Sequence, residues 1–176
     1  WTGDHTGAVG RLNPRELKSI LKEIPAQPDF FSNAYLNHNT LADAVRAYMH
    51  ELFGKEGLIS LDADDPSLKR LFLPIIQQEL TAPKSAEIVY ETTQRLNKMG
   101  YHTPLHAREI NLFYLVDQLR ERIVKEDQLY KVLNTEISFT EEELLALTES
   151  NPERFSPNVI LRPVYEEVIL PNLAYI

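Results

Sequence analysis

The sequence contains no cysteine among its 176 residues, which excludes disulfides, thiol catalysis and thiolate metal sites within it. It also contains no apolar run near the ~20 residues that a membrane-spanning helix needs. Its 18 basic residues are outnumbered by 26 acidic ones, and no basic stripe of the kind that neutralises nucleic-acid phosphates is present. We therefore expect a cytoplasmic protein with no membrane segment and no nucleic-acid partner.

Patterns typical of metal or phosphate binding are also missing. His102 and His106 are four residues apart, but Pro104 between them prevents a shared helix face, and no HExxH motif occurs. The glycines near the start form neither a GxGxxG nor a Walker loop. No serine lies in a GxSxG elbow. The sequence therefore predicts no metal site and gives no support to hydrolase chemistry.

Much of the chain has the pattern of amphipathic helices. Asn13, Thr40 and Thr140 are typical N-caps, each followed three residues later by an acidic residue. Further helices are predicted at about residues 68–80, bent at Pro74, and at 84–99. The apolar faces of the first two helices are predicted to comprise Leu17, Ile20, Leu21 and Ile24, then Leu41, Val45, Met49, Leu52 and Phe53.

A short apolar run at residues 58–61 predicts a strand. An acidic turn follows it, with Asp65 as N-cap and Pro66 as first residue of the next helix. A strand that is apolar on both faces and flanked by helices belongs in a parallel sheet covered on two sides. We therefore predict an α/β fold. The apolar tail at 173–176 predicts a further strand.

Residues 111–133 allow two interpretations. Their leucines follow helical spacing, whereas their aromatic and β-branched residues favour strands. No Asn-Gly or Asp-Gly turn decides between them. Further on, Ser156 and Pro157 predict the start of a helical turn, which Pro163 restarts.

The acidic turn is the first candidate site. Ligands of open α/β sheets bind beyond the carboxyl ends of the strands. Asp62 and Asp64 could there hold a ribose hydroxyl, an amine or a magnesium-bridged phosphate. The alternative is ordinary turn chemistry and helix capping.

Arg162 is the second candidate, because it lies in an apolar run beside Pro163. A guanidinium stays charged, so it needs an acidic partner or an anionic ligand. It could clamp a carboxylate or phosphate, or it could form an ion pair with Glu166 or Glu167. The sequence leaves both alternatives open.

Three runs carry a resemblance to a known family. They are LFGKEGLISLDADDPSLKRLF at 52–72, INLFYLV at 110–116 and NPERFSPNVILRPVYEEVILPNLAYI at 151–176. In this order they resemble the bacillithiol biosynthesis cysteine-adding enzymes, the BshC cysteine ligases, and the last run is the most specific. Because the chain opens at Trp1 rather than Met and closes on a strand-like tail, we expect a central fragment of such a protein.

The resemblance implies part of a Rossmann-like core with a helical segment and an inserted β-hairpin or meander. Residues 1–56 would be the helical connecting segment and 57–100 a core strand, turn and helix. Residues 101–150 would form the inserted β-hairpin or meander with a helix, and 151–176 would return to the core. The implied activity is addition of L-cysteine to glucosaminyl-malate in the cytoplasm, with ATP as the expected co-substrate. The complete protein is expected to be a homodimer, joined through a coiled coil outside this segment.

Two family motifs, GGQQAG-like and EDHD-like, are absent from the sequence. We therefore expect no catalytic residue here and no turnover from this segment alone. The candidate substrate-binding residues are Arg162, Asn158, Asp62 and Asp64, with Arg162 opposite the malate carboxylates. Two alternatives stay open: a non-catalytic ligand-binding or interaction module, and a nucleotidyl-transferring relative of the class I aminoacyl-tRNA synthetases that acts on another amino acid.

Overall fold

The computed structural model describes residues 5–171, and the chain divides into two compact units. The first comprises the chain up to Asp64 together with Val116–Leu119, and the second comprises Asp65–Leu115 and the chain from Arg120. The strand predicted at 173–176 lies outside the described residues. No helix within those described residues is long and apolar enough to cross a membrane.

The first unit is helical. Asn13 Oδ1 accepts a hydrogen bond from the backbone N of Arg15 at 3.2 Å, and Thr40 Oγ1 accepts one from the backbone N of Asp43 at 3.1 Å. Both predicted N-caps are therefore confirmed. The helices are α1 (Lys18–Glu23), α2 (Asp29–Asn37) and α3 (Leu41–Phe53), with 3-10 turns at Val9–Arg11, Pro14–Leu17 and Gly54–Glu56.

The prediction of a strand at residues 58–61 is wrong. These residues are irregular, and no strand in the described part of the chain pairs with them. A strand needs a hydrogen-bonded neighbour, and the local pattern does not supply one. Ile59 is 82% exposed, and Leu52 and Phe53 at the end of α3 are about half exposed. The apolar face predicted for α3 is therefore only partly covered. The buried residue of this helix is Ala44, which the prediction did not include.

The second unit contains the remaining helices. Asp65 Oδ1 accepts a hydrogen bond from the backbone N of Ser67 at 2.8 Å and caps the first of them. The predicted bend is confirmed as a break at Phe72, because Pro74 has no N–H to continue the helix. Thr140 and Glu143 form the predicted capping box. The helices are α4 (Pro66–Leu71), α5 (Leu73–Thr81), α6 (Ser85–Lys98), α7 (Glu141–Ser150) and α8 (Arg162–Ile169), with a 3-10 turn at Pro152–Arg154.

A five-stranded sheet has the order β4-β3-β2-β1-β5. Two-residue turns join β1 to β2 and β2 to β3, and Asp117 and Asp127 in them have φ of 41° and 55°. Such short loops need positive φ, which Asp tolerates better than most residues. Residues 111–133 therefore form a meander and not a helix. The strands are β1 (Leu112–Val116), β2 (Leu119–Glu126), β3 (Leu129–Val132), β4 (Ser138–Phe139) and β5 (Phe155–Pro157).

The helical turn predicted at Ser156 and Pro157 is also wrong, since both residues lie in β5. This strand pairs with β1 in antiparallel register, Tyr114 opposite Phe155 and Leu112 opposite Pro157. Phe155 is fully buried, and its ring lies 6.1 Å from that of Tyr114. Burial of this aromatic pair outweighs the local turn preference of Ser-Pro. The sheet observed is thus antiparallel, where the sequence predicted a parallel one.

A buried cation joins three elements of the second unit. Lys69 on α4 is 1% exposed, and its Nζ donates to the backbone O of Phe155 in β5 at 2.7 Å. The same nitrogen lies 5.7 Å from the centre of the Tyr165 ring on α8. The Tyr165 ring contacts Phe72 edge-on at 5.0 Å. Lysine is rarely this buried unless it has partners of this kind.

Replacing Thr140 by Ala in the complete protein should lower the free energy of unfolding by about 1 kcal/mol, because the first turn of α7 loses the side-chain acceptor of its cap. Chemical denaturation measures this. Thr92→Ala is the matched control, since Thr92 is exposed and its hydroxyl donates to the carbonyl of Ile88 within the same helix. Equal losses for the two variants would contradict the capping role.

Candidate functional site

The first turn of α8 is fixed by Asn158. Its Nδ2 donates to Asn111 Oδ1 at 2.8 Å, and its backbone N donates to Asn111 O at 3.0 Å. Its Oδ1 accepts from the backbone N of Ile160 at 2.8 Å and of Leu161 at 3.3 Å. The backbone N of Arg162 then donates to Asn158 O at 2.9 Å. Asn158 therefore holds the turn that presents Arg162, and its side chain is engaged within the protein.

Asn111 carries this network on to a buried carboxylate. The backbone N and Nδ2 of Asn111 donate to Glu79 Oε1 at 2.9 and 3.0 Å, and Ser85 Oγ donates to the same oxygen at 2.7 Å. Glu79 is only 4% exposed. No cationic nitrogen lies within 4 Å of it among residues 5–171. Neutral donors alone thus compensate a buried charge that proteins usually pair with a cation.

The charge of Arg162 acts on a second guanidinium, that of Arg120 on β2. Burial lowers the pKa of Arg120, and the positive charge of Arg162 lowers it further. The Cζ of Arg120 lies 3.7 Å from the centre of the Phe113 ring. In the part of the chain that the structure describes, no carboxylate comes within 4 Å of either guanidinium. The alternative of an ion pair between Arg162 and Glu166 or Glu167 is therefore not realised.

We call Arg120 and Arg162 the guanidinium pair. Two like charges repel each other, and a bound anion relieves that repulsion. Guanidinium groups match the geometry of carboxylate and phosphate oxygens. The guanidinium of Arg120 also stacks on the Phe113 ring. The pair is therefore suited to a ligand with two acidic groups. Sequence reasoning missed Arg120, because it lies in a stretch of mixed charge that is typical of a solvated face.

The two acidic candidates lie together in the first unit, and both have partners. Asp64 accepts from Arg11 through both carboxylate oxygens, at 2.5 Å from Nε and 3.2 Å from Nη2. Asp62 Oδ1 accepts from the backbone N of Asp64 at 2.9 Å, as in an Asx turn. A ligand-binding role for them stays a prediction. No group of His, Asp and Glu side chains that could hold a metal ion occurs between residues 5 and 171.

Comparison with known proteins identifies a family. Residues 3–176 match the family model of the bacillithiol biosynthesis BshC N-terminal Rossmann-like domain. This confirms the predicted α/β class with a Rossmann-like domain. It also corrects the expectation of a central fragment, because the match is to the N-terminal domain of the family.

Relatives named as candidate cysteine ligases BshC give the same result. The chain is 47% identical to the protein of Flavobacterium psychrophilum, over all of this chain and 35% of that protein. It is 45% identical to that of Christiangramia forsetii, over 96% of this chain and 33% of that protein. It is 38% identical to the protein of Shouchella clausii, over 78% of this chain and 26% of that protein. The chain thus spans about a third of the length of the first two relatives.

Replacing Asn111 by Ala in the complete protein should destabilise it by about 1–3 kcal/mol for each donor left without an acceptor, which are Asn158 Nδ2 and the backbone N of Arg108. Glu79 Oε1 loses one of its three donors and keeps the other two. Urea denaturation measures the loss. Asn97→Ala removes an exposed amide of α6 and should change the stability by no more than about 0.5 kcal/mol. Similar stability of the two variants would show that the network does not hold α8.

Proposed function

Because the chain belongs to the bacillithiol biosynthesis BshC family, we propose that the complete protein is a ligase that adds L-cysteine to glucosaminyl-malate. The observation that carries this proposal is the family match over residues 3–176. The relatives' name, cysteine ligase, supports the reaction class. The guanidinium pair gives the proposal a chemical basis, because the malate portion of that substrate is a dicarboxylate.

In this reaction an amide bond forms between the carboxyl group of cysteine and the amine of glucosaminyl-malate. ATP is the proposed co-substrate: it transfers a phosphoryl or adenylyl group to the cysteine carboxylate, and phosphate or AMP leaves when the amine attacks and loses a proton. The residues of this segment bind and orient the substrate: Arg162 and Arg120 each hold a malate carboxylate, and Asn158 fixes the turn that carries Arg162. Holding the malate end in place positions the amine for attack.

The guanidinium pair also explains how the dicarboxylate would be distinguished from a singly charged analogue. Each charge-assisted contact contributes about 1.5–3 kcal/mol, which corresponds to roughly 10- to 150-fold in affinity. A ligand with one carboxylate leaves one guanidinium unpaired beside the other and loses one such contribution. Phe113 limits the freedom of Arg120, so less conformational entropy is lost on binding.

The proposal places the main catalytic motifs outside residues 1–176. We accordingly infer that this segment alone does not turn over substrate. A cytoplasmic location and a homodimeric complete protein are part of the same proposal.

Arg162→Ala and Arg120→Ala, each made in the complete protein, should raise the KM for glucosaminyl-malate by about 10- to 150-fold, because each removes one charge-assisted contact. The KM for L-cysteine should stay unchanged. Steady-state measurement of the ligated product by mass spectrometry separates the two constants. Arg95→Ala is the control, since that arginine is exposed on α6 and its ion-pair partner among residues 5–171 is Glu91.

An unchanged KM with a lowered melting temperature would assign the guanidinium pair to stability and remove it from substrate binding. No product from the complete protein with ATP, L-cysteine and glucosaminyl-malate would overturn the ligase proposal itself.

A further inference from the structure

A small cavity lies between helices α5, α6 and α8 of the second unit. Its volume is about 280 Å³. This is just below the range of roughly 300–1,000 Å³ found for drug-sized ligands, so a molecule of a few heavy atoms fits. Most of its wall is aliphatic, and its charged and hydroxyl-bearing residues are Glu79, Lys84 and Ser85. Aliphatic contributors from the three helices include Ile75, Val89, Leu161 and Val164.

Glu79 gives the cavity a negative end. Its Oε1 accepts all three of the hydrogen bonds described above, and its Oε2 accepts none from residues 5–171. Among these residues, Gln27 Oε1 is the side-chain atom that has neither solvent access nor a hydrogen-bond partner. Glu79 Oε2 has no partner and is not such an atom, so it keeps some contact with solvent and a ligand can reach it. A carboxylate this buried, with no cation within 4 Å, favours a positively charged ligand.

Lys84 adds a positive charge to the lining of the cavity. It precedes α6 and is exposed, whereas Glu79 is buried. No ion pair joins the two within 4 Å among the described residues. One buried carboxylate and one exposed ammonium, in a lining that is otherwise mostly aliphatic, match the charges of a free amino acid.

We propose that this cavity binds a small α-amino acid, with its ammonium group on Glu79 Oε2 and its carboxylate toward Lys84. The aliphatic wall accepts a short side chain of low polarity, and a charged or long side chain is excluded. That the amino acid is L-cysteine rests on the proposed function. The orientation has a chemical consequence. The amine paired with Glu79 stays protonated and cannot act as a nucleophile, while the carboxylate, toward the exposed Lys84, is available for activation.

The cavity and the guanidinium pair have a common support. Asn111 donates to Glu79 at one end of the network and binds Asn158, which fixes the first turn of α8, at the other. Leu161 of that turn lines the cavity, and Arg162 follows it directly. The same buried amide therefore positions a site for the amino acid and a site for the dicarboxylate.

Calorimetric titration of the complete protein with L-cysteine tests the inference, with L-alanine and L-lysine as comparison ligands. Glu79→Gln keeps the shape and an acceptor for Asn111 and Ser85 but removes the charge. It should weaken L-cysteine binding by about 10- to 100-fold, since a charge-assisted contact is lost. The affinity for glucosaminyl-malate should not change. Glu91→Gln on the exposed face of α6 is the control and should bind L-cysteine as the unmodified protein does.

A second variant tests the cavity independently, in case Glu79→Gln impairs folding. Val164→Phe places a larger ring at the cavity from the partly exposed face of α8 and leaves the Glu79 network intact. It should abolish L-cysteine binding while the melting temperature stays close to that of the unmodified protein.

The outcomes separate this inference from the ligase proposal. Unaltered L-cysteine affinity in both Glu79→Gln and Val164→Phe overturns the cavity site, whether or not the protein makes product. L-lysine binding as strong as L-cysteine binding also overturns it. Glu79-dependent binding of L-cysteine and L-alanine, in a protein that forms no product, supports the cavity site and removes the ligase function.

Discussion

The hydrogen bonds of Asn111 are the interaction on which the second unit depends. This fully buried residue joins Glu79 of α5 to Asn158 before α8, through both its side chain and its backbone. A buried polar network whose members are bonded to one another specifies one arrangement of the segments it connects. Here it fixes the turn that begins α8, and with it the position of Arg162. It also lets a buried carboxylate exist without a neighbouring cation.

Three charged side chains of the candidate sites in the described part of this unit have no oppositely charged neighbour within 4 Å. The guanidinium pair of Arg120 and Arg162 has no carboxylate within 4 Å, and Glu79 has no cation within the same distance, among residues 5–171. Both arrangements cost stability relative to paired charges, which proteins tolerate chiefly where a ligand is bound. Their opposite signs fit the two substrates of the proposed ligation, a dicarboxylate and an amino acid.

Local features of the fold were predictable from the sequence, and those that depend on distant partners were not. The cap at Thr140 was predicted because a side chain and a backbone amide three residues away decide it. The residues alone left the meander open, because its turns are Asp-Gln and not Asn-Gly or Asp-Gly, although the repeat at Asp117 and Asp127 was a usable signal. The family resemblance implied a hairpin or meander there, which the structure confirms. The strand at 58–61 was wrong because no neighbour pairs with it in the described chain. Arg162 was found from its apolar surroundings, but its partner Arg120 emerges only from tertiary structure.

The central claim is that the guanidinium pair acts as one site for a dicarboxylate. A double-mutant cycle on the complete protein measures this directly, with L-malate as ligand and calorimetric dissociation constants for the unmodified protein, both single Ala variants and the double variant. Residues that share one ligand typically show coupling of about 0.5–3 kcal/mol. We predict coupling within that range, so that the second substitution costs less than the first. Strict additivity, or malate binding that none of the three variants weakens, would contradict the claim.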